Sequence, residues 1–357
     1  MYHRLLSSVC CGFALLVAVP ALAQAPSQPS APPKAAAKAP AVRRWVDVQS
    51  LLAAMRYRFT ENSAGRETVS DLQYQSQLRG RFLFDKAGRY HIGTFVTTGS
   101  AFRSGWNYTG AGLNKENHPL KVRQLWLGAA PVKGLEFQAG GIAPNRGELA
   151  DVIASDNDSF LIGGRATVRP SKGRFTQFSA TAGYFDAISE PDLFKQIGDA
   201  DSVNYAQALV GFKLSARATA SVDYTYEQGR DILREGVTFR VPASVKAITS
   251  IRLESYQRVD PDQAKGYNAS ADLKFKKLTG TVGVMSADRG YGPFNGDRYE
   301  LGSRSYYIAN YPLTAALALQ AFYTRAFDVH FPITINQRFD FVATYNPTAY
   351  LKRKGIF

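Results

Sequence analysis

Cysteine is nearly missing from the sequence, with Cys10 and Cys11 its only two among 357 residues, and histidine is scarce, with four. Both cysteines lie in an N-terminal segment that reads as an export signal. Arg4 precedes an apolar run from Leu5 to Val19, then come Pro20 and the small-residue triplet Ala21-Leu22-Ala23, with cleavage expected after Ala23. The cysteines sit inside the apolar run, too close to Arg4 for lipid attachment, which needs a full apolar region before its cysteine. The mature chain is therefore expected to have no disulfide, no thiolate metal site and no thiol nucleophile. Nor does it offer the run of about 18 apolar residues that a membrane-crossing helix needs. The longest candidate, Leu313 to Phe322, is short and contains Gln320.

Acidic residues are in deficit, 29 against 43 Lys and Arg, for a net charge of +14. Five of the bases and none of the acids precede Trp45, which leaves 38 against 29 from Trp45 onward. Such a balance suits nucleic acid, anionic headgroups or anionic solutes, and export argues against nucleic acid. Residues 24–44 are rich in Ala, Pro, Ser and Gln, with Pro26, Pro29, Pro32, Pro33 and Pro40, and end in Arg43 and Arg44. That composition cannot bury a core and predicts a flexible linker. The organisation expected is a signal over 1–23, a linker over 24–44 and one folded unit over 45–357.

Within that unit the dominant signal is period two. Leu72, Tyr74, Leu78, Phe82 and Phe84 alternate with Asp71, Gln73, Gln75, Gln77, Arg79 and Arg81. The pattern returns in Ala218 to Glu227 and Tyr267 to Lys276, and less cleanly in Leu51 to Phe59, Phe160 to Arg169, Val237 to Val241 and Arg338 to Tyr345. Short turns are expected at Asp85 to Gly88, Pro131 to Gly134, Pro170 to Arg174, Leu214 to Arg217, Pro242 to Lys246, Lys276-Lys277 and Asn310 to Pro312. They alternate with longer polar stretches around Asn62 to Thr68, Ala101 to Leu120, Ala143 to Asp158, Asp186 to Asn204, Asp288 to Arg298 and Phe327 to Asn336. Alternating short and long connections predict an all-β fold, an antiparallel up-and-down transmembrane barrel of about sixteen strands, with fourteen to eighteen compatible. Aromatic pairs at strand ends, Tyr74 with Phe82, Tyr205 with Phe212 and Tyr267 with Phe275, are assigned to the two rims of a lipid-facing band.

On these features the chain resembles the Gram-negative outer-membrane porins over Trp45 to Tyr345. The likeness is most specific where Val122-Arg123-Gln124-Leu125-Trp126-Leu127-Gly128 enters a short turn, Leu135 to Ile142 returns through Gly140-Gly141, and an acidic segment follows. The resemblance implies that the loop after the fifth strand folds into the lumen as a pore constriction, here carried by Glu148, Asp151, Asp156 and Asp158 against a basic wall. It also implies residence in the outer-membrane lipid, passage of small hydrophilic or anionic solutes, and a homotrimer. The chain departs from the pattern at its end. Phe357 is aromatic, but Lys352-Arg353-Lys354-Gly355 spoil the alternation before it, so the last strand is placed at Arg338 to Asn346.

If the apolar face meets lipid, Arg56, Arg58, Arg79, Arg81, Arg165, Arg169, Arg240 and Arg252 point inward as pore-lining bases, and their excess over acids favours anions. Arg81 and Arg169 can equally lie at the wet periplasmic rim. His91 is expected to face inward near a turn, with His118 and His330 in loops. No spacing sets a histidine beside a Ser and an acid, so the chain reads as non-enzymatic. No metal or cofactor is expected: Asp156-Asn157-Asp158 lacks the glutamate of a calcium loop, with Thr167 in its place, and Gly290 to Gly296 has the wrong spacing for a dinucleotide loop. The alternative is a barrel with a closed lumen that acts through its loops as an adhesin, receptor or structural protein. Phe102, Trp106, Tyr108 and Phe294 would then be the contact residues.

Overall fold

Alternation of apolar and polar residues drives every long element of this chain into extended backbone, because only a period-two strand puts each class on its own side. A computed structural model describes residues 45–99, 104–114, 120–149, 158–185, 191–261, 263–288, 302–328 and 335–356. Its strands are β1 (Val46–Glu61), β2 (Glu67–Leu83), β3 (Tyr90–Thr97), β4 (Asn107–Gly112), β5 (Lys121–Ala129), β6 (Leu135–Ile142), β7 (Leu161–Val168), β8 (Phe175–Tyr184) and β9 (Tyr205–Lys213). They continue as β10 (Ala218–Glu227), β11 (Arg230–Arg240), β12 (Ile248–Arg258), β13 (Lys265–Phe275), β14 (Leu278–Ala287), β15 (Gly302–Pro312), β16 (Leu317–Asp328) and β17 (Gln337–Tyr345). Two short helices, α1 (Leu193–Asp199) and α2 (Thr348–Arg353), complete the set.

All strands join one antiparallel sheet that closes on itself. β1 pairs with β2 along its length and with β17 from Ala53↔Tyr345 to Glu61↔Gln337. β3 and β4 share one position in the ring. β2 pairs first with β3, from Leu83↔His91 to Gln77↔Thr97, and then with β4, from Tyr74↔Asn107 to Asp71↔Gly112. Seventeen strands thus make the sixteen-stranded barrel expected from the sequence.

The faces are inside-out relative to a water-soluble protein. Met55, Tyr57, Phe82, Leu127, Phe137, Leu253, Tyr267, Phe275 and Phe341 are exposed on the outside, while Arg56, Arg58, Asp71, Gln73, Gln207, Asp223, Asn268 and Asp340 are buried within. An outward apolar band around a polar interior satisfies both sides of a bilayer-spanning barrel, since ring closure leaves its backbone ladders without an open edge strand. No helix among the described residues is long and apolar enough to cross a membrane.

Three expectations need correction. Tyr205 does not stand on the outer face with Phe212; it points inward and is buried, because two residues seven apart on a period-two strand must face opposite ways. The turn placed at Asn310 to Pro312 lies three residues later, at 313–316, since Pro312 pairs with Ala318 as the last rung of its ladder. The second long connection is not all loop, because residues 107–112 form β4. The final strand is where the sequence put it, and the tail beyond it is helical. There the Thr348 hydroxyl accepts the Leu51 N–H at 2.8 Å, supplying a partner on β1 below the last β17 pair.

Candidate functional site

Among the described residues, charged side chains are gathered and shielded in the barrel interior. Its most concentrated group lies across the closing seam. Arg58 on β1 is directly opposite Asp340 on β17, with Nε donating to Oδ1 at 3.0 Å and Nη2 to Oδ2 at 3.1 Å. Arg338, two residues along on the same face, donates from Nη2 to Oδ2 at 2.6 Å, and Arg56 from Nη1 to Oδ2 at 3.5 Å. Among the described residues three guanidiniums thus share one carboxylate, a set with net positive charge. Arg56 also donates to Gln73 Oε1 at 2.7 Å and lies 4.1 Å from the Trp106 ring centroid, while Arg338 stacks over Phe322. All these side chains except Trp106 are buried.

Two segments fold into the interior. The first joins β3 to β4. Arg123, fully buried on β5, donates from Nη2 to the carbonyls of Gly99 at 3.1 Å and Ser104 at 2.9 Å, and so holds the segment inward with Trp106 over Arg56. Trp106, considered above as an external contact, is thus an interior residue, and Tyr108 belongs to β4. Phe102 and Phe294 lie outside the described residues.

The second is the connection after β6, the fifth barrel position. The Ala143 carbonyl accepts a hydrogen bond from Arg165 Nη2, and the Asn145 carbonyl one from Gln207 Nε2 at 2.8 Å. Glu148 N–H then donates to Ser221 Oγ at 2.9 Å, and Leu149 buries itself among Ile232, Tyr256, Met285, Tyr306 and Phe322 on the opposite wall. The segment returns at Asp158, whose Oδ2 accepts Gly105 N–H at 3.2 Å and Gln75 Nε2 at 3.5 Å. The Ser159 carbonyl takes Gln124 Nε2 at 2.8 Å. The segment's described ends thus touch two walls, β9 and β10 through Asn145 and Glu148 and β2 and β5 through Asp158 and Ser159.

The predicted site residues fall into three groups. Glu148 and Asp158 are both interior, but Glu148 Oε2 accepts from Thr219 Oγ1 at 3.1 Å rather than from an arginine, while Asp158 lies within electrostatic reach of Arg79. Asp151 and Asp156 lie outside the described residues. Arg56, Arg58, Arg79, Arg165 and Arg252 are interior. Arg79 stacks on Phe95 at 4.2 Å, and Arg252 stands between Glu254 at 3.9 Å and Asp272 at 4.0 Å. Arg81, Arg169 and Arg240 belong to the short-turn rim. Arg81 pairs with Asp47 at 2.8 Å and Arg169 with Glu136 at 2.7 Å, while Arg240 ends β11 exposed. His91 faces inward as expected, against Gly128.

Sequence reasoning missed Arg338 and Asp340, Arg123, the Arg234–Asp223 pair at 2.8 Å and the Arg258–Asp260 pair at 2.7 Å. For Arg338 and Asp340 the signal was present, since they alternate with Phe339 and Phe341. Arg123 is the residue skipped at a register shift in the β3–β5 pairing, which hides its side from a parity count. Among the described residues no group of three or more His, Cys, Asp and Glu is placed to hold a metal.

The two rims differ in charge. The connections at the short-turn end, together with the chain after β17, carry Lys86, Arg89, Lys133, Arg169, Lys172, Arg174, Arg217, Lys246, Lys276, Lys277, Lys352, Arg353 and Lys354, thirteen bases, against the single acid Asp85. All thirteen are exposed. At the other end acids predominate, with Glu148, Asp158, Asp192, Asp201, Asp260 and Asp288 against Arg66, Arg146 and Lys195 in the described connections.

No family model and no curated protein matches the chain. Solved structures do. Three mutants of the Rhodopseudomonas blastica porin superpose with TM-scores of 0.54, 0.53 and 0.52 at 10%, 11% and 10% identity, each match covering 84% of this chain and 99% of that one. Identity that low speaks for architecture alone. In its fold, this chain is a porin-like β-barrel.

Proposed function

We propose that the protein is an outer-membrane channel for passive diffusion of small hydrophilic solutes, with a mild preference for anions and no catalytic role. The observation that carries the reading is the seam cluster, three guanidiniums on one carboxylate facing the interior of a closed barrel whose outside is apolar. Fixed positive charge along a narrow wet path lowers the energy of an anion relative to a cation. The segment after β6, whose two described ends lie inside the barrel, is the constriction in this reading, with Glu148, Asp158 and the neighbouring Asp151 and Asp156 as its acids. Export by the N-terminal signal and assembly as a homotrimer belong to the same proposal. Refolded protein in a planar bilayer tests it by single-channel conductance and by reversal potential across a salt gradient. Stable steps with an anion-leaning potential are expected, and a cation-leaning potential would overturn the charge argument.

A second reading, a closed barrel acting through its loops, is favoured by one observation. Many inward side chains, including Arg56, Thr324 and Asn268, are almost fully buried, and Leu149 completes an apolar cluster inside the barrel. Folded barrels that pass no current would select it.

A further inference from the structure

The seam cluster and the infolded segments belong to the lumen, whereas the charge of the short-turn rim serves nothing described so far. Of its thirteen bases, Arg89, Arg169 and Lys352 pair with Asp85, Glu136 and Asp47. The other ten have no carboxylate partner among the described residues. They are not gathered into a patch on one side: of the seven short connections only residues 313–316 carry none. Most of these connections are too short to carry their side chains far from the strand ends, where Phe84, Phe175, Phe275 and Tyr345 are exposed on the outer face. The Lys276 ammonium lies 5.6 Å from the Phe275 ring and that of Lys354 5.9 Å from Tyr350. Aromatic girdles mark the interface of a bilayer, so cations set against one lie at headgroup depth.

We propose that the short-turn rim is a collar that binds anionic phospholipid headgroups of the leaflet it occupies. An annular set of cations at that depth matches an annular partner, and lipid phosphate is the anion available all round a barrel. A polymeric anion approaching from the water would meet only one side of the ring. The inference rests on the barrel crossing a membrane and is independent of whether its lumen conducts.

Trp45 reports on this rim, being 41% exposed and stacked on Phe82 with ring centroids 6.5 Å apart. With Trp106→Phe and Trp126→Phe removing the interior fluorophores, the mature chain is refolded into vesicles of phosphatidylcholine and phosphatidylglycerol, with bromine on one lipid or the other, and quenching of Trp45 is read. Phosphatidylglycerol is expected to be preferred about threefold or more at low salt, the preference falling to near unity at about 1 M NaCl. Lys86→Gln with Arg353→Gln and Lys354→Gln should abolish it, while Lys172→Gln with Arg174→Gln on the far wall should leave the Trp45 signal unchanged. Equal quenching by both lipids at low salt, or a preference indifferent to salt, overturns the proposal. So does soluble polyglutamate binding the rim when the two lipids quench alike. If the triple variant fails to migrate as a folded barrel, the salt titration of the parent chain still decides.

Discussion

Arg58 and Asp340 face each other across the seam where the first and last strands meet, joined by two hydrogen bonds of 3.0 and 3.1 Å although 282 positions apart in the chain. Asp340 also neutralises part of Arg56 and Arg338, so three shielded cations share its carboxylate. Removing it as Asp340→Ala is expected to cost about 2 to 4 kcal/mol, the penalty for uncompensated buried charge discounted for lumen water. Urea unfolding in vesicles measures the loss. Asp340→Asn, which keeps the shape, should in addition move the reversal potential further toward anions.

Leu149 anchors the inward segment in an apolar cluster. Leu149→Ala removes that anchor at a local cost of about 2 to 4 kcal/mol. Single-channel conductance is expected to rise and its noise to increase. An unchanged conductance would show that this segment does not narrow the path.

Trp106 covers Arg56 at cation–π distance. Trp106→Ala forfeits about 1 kcal/mol of that contact and uncovers a guanidinium still held by Gln73. Anion preference should increase with little loss of stability, as read by reversal potential and heat-modifiable gel migration on the same preparation.

Gly93 lies under Trp126, and a Cβ there would come within 2.1 Å of the indole ring. Gly93→Ala must displace the ring and should cost about 1 to 3 kcal/mol. A shift in tryptophan emission, absent from Gly65→Ala in an open turn, would confirm that the ring has moved.

In the β2–β3 turn the Tyr90 N–H, donated to Asp85, holds that carboxyl below the usual carboxylate range, with the Arg89 side chain adding to the effect. A carboxyl whose folded pKa is depressed stabilises the fold fully above its unfolded value of about 4 and loses that contribution as pH falls through the lower, folded value. Acid unfolding of Asp85→Asn should therefore be less steep than that of the parent below pH of about 4, and equally steep profiles would exclude a role for this turn.

Much of the architecture was legible because period two is a local property. The outward Tyr267, Ala269, Ala271 and Phe275 and the inward Arg56 and Arg58 follow from parity alone, as do Arg338 and Asp340 once the rule is applied to β17. What parity could not give is anything that depends on an interruption. The break between β3 and β4 carries no turn motif strong enough to announce that the chain goes inward and then resumes the same strand. Pro312 read as a turn residue because proline cannot donate to a ladder, yet at a strand end it needs no donor. Glu148 has its partner Thr219 on a distant strand, and loop backbone has no period from which such a contact could be read.

The seam has a consequence for how the molecule comes into being. Its nine rungs, from Ala53↔Tyr345 to Glu61↔Gln337, unite the first and last strands, so none of them can form until synthesis has reached Gln337. Hairpins such as β10–β11, closed by the two-residue turn Gln228-Gly229, need no distant partner and can assemble early. Closing the ring carries the largest loop entropy in the protein and is repaid only at the end, when guanidiniums on the first strand find their carboxylate on the last. The ion cluster is thus also a latch that only a chain reaching β17 can fasten, and a chain cut short before that strand would be left with the open edge of β1 as a template for aggregation.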